Sequence, residues 1–85
     1  MKLAVIFHPH AQMRMRERGA EEDEVRATIE QGEQFPATYG RTGFRRNFSF
    51  GRHRRGSFYE TKQVEAYAEP QGEDWLVVTV VTRFF

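Results

Sequence analysis

The chain contains no cysteine. That absence excludes a disulfide framework, a thiolate nucleophile and a thiolate metal site, and it fits a reducing compartment. Histidines are few, and His8 and His10 without a further clustered ligand do not make a metal site. No metal or cofactor is expected. Long apolar runs are missing as well. The run Leu3-Ala-Val-Ile-Phe7 is five residues long, too short for a signal peptide or a membrane span. It reads as a first β-strand, and the expected setting is the cytoplasm of a bacterium, away from membranes. A strong charge excess is also lacking. The net charge is +1, so the overall balance does not suggest nucleic acid.

Eighty-five residues make one small domain, 1–85. A chain of this size buries only about 60–65% of its unfolded surface, so a partner or a homodimer would help its thin core. The charges present are segregated. Seven acidic residues and two arginines lie between Glu17 and Glu33, while six arginines and no acid lie between Arg41 and Arg55. The acidic run reads most simply as a solvated helix face. The basic run points to a polyanion or an acidic protein partner.

The pattern predicts a strand over 2–7 and a helix over 8–18, with Pro9 in its first turn and Gly19 as its C-terminal cap. A second helix is predicted over 21–31, where Glu21, Glu22 and Asp23 suit the dipole and Val25 and Ile29 form an apolar stripe. Strands follow over 34–40, 42–50, 57–69 and 74–84. Gly51–Gly56 reads as a basic loop, and Pro70-Gln-Gly-Glu73 as a hairpin turn. The last strand is apolar on both faces, which predicts a central or doubly covered position. The expected fold is α+β, in the order β-α-α-β-β-β-β, with two N-terminal helices packed on a mainly antiparallel sheet.

Four-residue steps place His10, Arg14 and Arg18 along one side of the first helix. Phe7, Ala11 and Met15 form its apolar stripe, with Arg18 inside that stripe, Arg14 at its edge and His10 further out. His10 has the chemistry of a base or acid near neutrality. Arg14 and Arg18 could clamp a phosphate through planar, bidentate donors. Arg18 equally suits a structural bond to a carboxylate or to helix-end carbonyls. If the C-terminal turn centres on Gln71-Gly72, Glu60 faces Arg83, Lys62 faces Val81 and Val64 faces Thr79. Glu60, Lys62, Thr79 and Arg83 then share one face. That grouping could be a catalytic floor or an ordinary cross-strand ion pair. Tyr59 and Tyr67 fall on the face opposite Lys62. Phe44, Phe48 and Phe50 alternate against Arg45, Asn47 and Ser49, with Arg46 interrupting the aromatic face. Those phenylalanines read first as core residues.

The residues His10-Ala11, Arg14-Met15 and Arg18-Gly19, followed by Val25, match the pattern H-A-x-x-R-M-x-x-R-G…V. The chain thereby resembles a family of small bacterial domains of unknown function, from His8 to Val81. Lys62-x-Val64 and Val78-Thr79-Val80 also resemble later strands of that family. One departure is Ala20-Glu21, where such domains often carry serine or a similar capping residue. The family looks related to RelE/BrnT-like toxins and to compact metal-independent ribonucleases. The resemblance implies a RelE/BrnT-like fold and an endoribonuclease acting as the toxin of a toxin–antitoxin pair, with RNA and a cognate acidic antitoxin as partners. On that reading His10, Arg14, Lys62 and Arg83 are the candidate catalytic residues. Arg18, Arg45, Arg52, Arg54 and Arg55 are the candidate RNA contacts. The alternative is a non-catalytic RNA- or protein-binding module on the same scaffold.

Overall fold

The apolar stripe of the first helix and the apolar C-terminal strand pack against each other in the computed structural model, which describes residues 4–85. The elements are β1 (Val5–Phe7), α1 (Pro9–Arg18), α2 (Glu22–Gln31), β2 (Glu33–Pro36), β3 (Thr42–Arg54), β4 (Ser57–Gln71) and β5 (Asp74–Phe84). This is the expected α+β order. The start of the expected first strand lies outside the described residues.

One mixed sheet runs β1-β5-β4-β3-β2, with β1 parallel to β5 and every other pair antiparallel. Both helices cover one face: α1 lies on β5, and α2 on β3 and β4. Ala11 and Met15 from α1 and Val25 and Thr28 from α2 are buried against Phe44, Val64, Ala66, Val77 and Val80. Alanines at 66 and 68 lie on the helix side of β4, where small side chains let packed helices approach closely. The Phe44 and Trp75 rings meet edge to face, with centroids 5.1 Å apart.

Local chemistry explains the helix ends. His8 caps α1 by accepting from the His10 backbone N–H at 3.0 Å. Gly19 ends α1 at φ 74, a left-handed conformation that glycine adopts without a Cβ penalty. At the start of α2, the Glu24 carboxylate accepts from the Glu21 N–H at 3.0 Å. Glutamate at 24 thus serves as half of a capping box where serine is missing.

The sheet departs from the expected pattern in four places. The strand predicted over 34–40 stops at Pro36, and Thr38–Gly40 form a tight turn in which Tyr39 is left-handed at φ 60. The predicted loop Gly51–Gly56 is instead mostly strand. β3 continues to Arg54, and the hairpin turns on Arg55 (φ 52) and Gly56 (φ 85). Two positive φ values are what a two-residue type I′ turn requires. The C-terminal turn centres on Gly72-Glu73, since Gln71 pairs with Asp74. Finally, Ala68 pairs with Val77 but Tyr67 pairs with Thr79, so β5 carries one extra residue, Val78.

The turn position and this bulge together revise the register. Lys62 faces Phe84, Val64 faces Thr82, and Arg83 faces Gln63. Because side chains alternate, Arg83 stands on the face away from the helices while Lys62 stands beneath them. The proposed grouping of Lys62 with Arg83 is therefore not formed. β5 is interior in the sheet, as its composition predicts, but helices cover only one of its faces.

Candidate nucleic-acid interface

Three polar side chains lock the end of α1 onto the sheet. Lys62 is 3% exposed. Its ammonium donates to the Gly19 carbonyl and to Glu24 Oε1, the latter at 2.6 Å. One side chain from β4 thereby ties the C-terminus of α1 to the N-terminus of α2. Arg18 donates to the Val80 carbonyl at 2.7 Å, and Thr82 Oγ1 donates to the Arg18 carbonyl at 2.8 Å.

Beside this junction the β3–β4 hairpin becomes an arm. The backbones of Thr61 and Phe85 pair at 2.8 and 3.0 Å. Beyond them, among the described residues, β3 and β4 pair only with each other. The pairing shifts by one residue between Ser49 and Arg52, at Gly51 with φ 58. A bulge with a left-handed glycine bends and twists a ribbon and re-aims its side chains. Tyr59, expected on the face opposite Lys62, accordingly packs against Phe84 with centroids 5.8 Å apart. Tyr67 remains on the outer face.

Between the arm and the end of α1 is a cleft of about 390 Å³, lined by Glu17, Arg18, Arg54, Arg55, Tyr59, Thr82 and Phe84. The Arg54 guanidinium stacks 4.7 Å above the Phe84 ring. It also lies against Gly19, where a Cβ would come within 2.9 Å of its Nη1. Arg52, on the same arm, stacks 4.5 Å from the Phe50 ring, and Phe50 meets Phe84 at 5.0 Å. Arginine stacking of this kind fixes the guanidinium plane while leaving N–H donors for an anion. Arg18, Arg54 and Arg55 thus converge from a helix and from a hairpin far along the chain. The sequence pattern flags these arginines. Glu17 and Thr82 carry no separate signal in it, because one is a single acid among the arginines of α1 and the other closes an apolar strand.

The other candidate residues lie elsewhere. His10 is at the N-terminal end of α1, roughly 12 Å along the axis from Arg18 at 1.5 Å per residue. It lines a separate hollow of about 310 Å³ with His8, Arg41, Glu69, Leu76 and Val78. Arg14 pairs with Glu17 at 3.2 Å. Among the described residues, no three histidine or acidic side chains cluster as a metal site.

Arg45 and Arg83 belong to the outer face, over a carboxylate. Glu65 is 3% exposed although no helix covers it. Arg45 Nε donates to it at 2.8 Å, the Tyr67 hydroxyl donates at 3.1 Å, and Arg83 Nη2 lies 3.6 Å away. Arg45 also reaches Glu33 at 3.2 Å and stacks 4.5 Å from the Phe35 ring. Burial alone would raise the Glu65 pKa. The hydrogen bonds from Arg45 and Tyr67 and the charges of Arg45 and Arg83 outweigh it, holding the carboxyl below its ordinary value. Burial and the Glu65 charge push the Tyr67 hydroxyl up, and the Glu65 hydrogen bond raises Arg45.

A carboxylate with a depressed folded pKa stabilises the fold above its unfolded pKa, about 4.3 for glutamate. That stabilisation disappears as pH falls through the folded value. Unfolding midpoints should therefore drop between roughly pH 5 and pH 3, and less steeply in Glu65→Gln. Parallel slopes for the two proteins would remove Glu65 as the source.

The DUF4258 family, described as a domain of unknown function, matches residues 7–82. The chain belongs to that family. The match takes in the last residue of β1, both helices, β2 to β4 and most of β5, including the cleft residues other than Phe84. No curated protein and no solved structure matches this DUF4258 domain. Among its described residues, no helix is long and apolar enough to cross a membrane.

Proposed function

We propose that this domain binds RNA, holding the phosphate backbone in the cleft between α1 and the β3–β4 arm. The observation that carries this reading is the convergence of Arg18, Arg54 and Arg55 around the Tyr59 and Phe84 rings. Cations from two elements match the backbone of a charged strand better than a single charged face would. An acidic partner, such as an antitoxin, would compete for the same cations.

The direct test is fluorescence anisotropy of a labelled single-stranded RNA titrated at increasing salt. Binding should weaken with a log–log slope of about −0.7 per phosphate contact. No binding at low salt, or binding indifferent to salt, overturns the reading.

A second reading, metal-independent cleavage in the manner of a RelE/BrnT-like toxin, is favoured by Glu17. Glu17 lines the same cleft as the three arginines and Tyr59, with its Oε1 accepting from Arg14 at 3.2 Å. In that chemistry Glu17 accepts the ribose 2′-OH proton, and the 2′-oxygen attacks phosphorus. The 5′-oxygen leaves, taking a proton from water or Tyr59, while the arginines stabilise the charge on the phosphate. His10, at the other end of α1, has no part in it. Cleavage of total RNA on induced expression should fall about 100-fold or more in Glu17→Gln, with RNA binding retained. Intact RNA and normal growth with the wild-type chain would leave the binding module alone.

A further inference from the structure

The arm has a second side. Arg54 pairs with Ser57 and Arg52 with Tyr59, so their side chains project on the cleft side of the ribbon. His53 pairs with Phe58, so those two rings project on the reverse side. Their centroids are 5.4 Å apart with planes at 69°. Phe58 is 54% exposed. A large apolar ring left in water on a narrow basic ribbon adds nothing to the core, which lies under the helices. The imidazole packs against the phenyl ring at this steep angle, and about half of Phe58 stays open to solvent.

We propose that Phe58, propped by His53, is a stacking platform for an unpaired nucleobase, and that the domain therefore selects single-stranded over duplex RNA. The inference rests on the cleft reading above. The cleft takes the backbone, and the strand passes over the edge of the two-stranded arm to lay one base on Phe58. A paired base is already stacked in its helix and cannot reach the ring, so duplex gains only the phosphate contacts. The division of labour is between arginines that track charge and one ring that senses an open base.

The test compares two labelled single strands of equal length and charge, one intact and one abasic throughout, together with an RNA duplex. The wild-type protein should bind the intact strand about tenfold more tightly than the abasic strand or the duplex, within the range of base–aromatic stacking. Phe58→Ala and Phe58→Leu should remove that preference while binding the abasic strand as the wild type does. That retained binding also shows that each variant is folded. Phe58→Trp should restore the preference. Equal binding of intact and abasic strands by the wild type overturns the platform and leaves the cleft reading standing. A preference that survives Phe58→Ala also overturns it. Failure of the wild type to bind either strand removes both proposals.

Discussion

Lys62→Met loses roughly 3–5 kcal/mol of stability, the range for breaking a buried charge pair from one side. The side chain that leaves is nearly the same length, so packing volume changes little. What changes is polar. The Gly19 carbonyl and the Glu24 carboxylate both lose their donor at the point where α1 ends and α2 begins. Glu24 keeps the bond from the Glu21 N–H but is left facing a methyl thioether. A domain of this size has on the order of 0.05–0.15 kcal/mol of stability per residue, so a loss of this size consumes much of the total. Denaturant melts of the wild type, Lys62→Met and the double variant Lys62→Met/Glu24→Gln check the mechanism. The double variant should recover part of the loss, because it removes the stranded charge. A Lys62→Met midpoint within error of the wild type would show that the ammonium is not holding the junction. The same geometry governs how any loss of activity in a Lys62 variant is read. Such a loss tracks the folded population unless stability is measured beside it.

The order of elements was legible in this sequence because each signal was local. Pro9 and Gly19 bracket α1, the acids at 21–23 open α2, and strand composition follows. The faces were harder to read, because a face depends on register, and register depends on where a turn is centred and where a residue is inserted. A turn at Gly72-Glu73 instead of Gln71-Gly72 moves every partner by two and keeps Arg83 on the Lys62 face, whereas the one extra residue at Val78 sends Arg83 to the other face. Neither leaves a mark in the alternation of an all-apolar strand. The arm at 50–60 was hidden for a related reason. Gly51 and Gly56 punctuate the basic run as a loop would, yet one makes a bulge and the other a two-residue turn. Of the candidate site, the arginines were visible as a charge cluster. Their convergence with Arg18 was not, since it depends on the twist that the bulge imposes. His10 shows the converse: helical spacing placed it in line with Arg14 and Arg18, but that line runs the length of α1, and the cleft is only at one end.

The double variant Arg54→Gln/Arg55→Asn binds single-stranded RNA about 100-fold more weakly at low salt, with its salt slope reduced by about 1.4. The slope follows from two lost phosphate contacts at about 0.7 each on a single strand. The affinity follows from two charge-assisted hydrogen bonds at roughly 1.5 kcal/mol apiece, with about 1.4 kcal/mol per tenfold. The replacements are chosen to spare the fold. Asparagine tolerates the positive φ that Arg55 adopts at the hairpin turn, and glutamine keeps most of the Arg54 stem over Phe84. Changing Arg16 and Arg41 to glutamine is the matched comparison, because it removes the same charge from outside the cleft and gives up the exposed Arg41–Glu69 pair. A contact site predicts a large effect for the arm pair and a small one for this distal pair. A general electrostatic attraction predicts equal effects, since in that case only net charge counts. Equal losses from the two pairs would therefore dissolve the cleft as a site. A loss confined to Arg54 and Arg55 would tie binding to the one place where the helix and the arm meet.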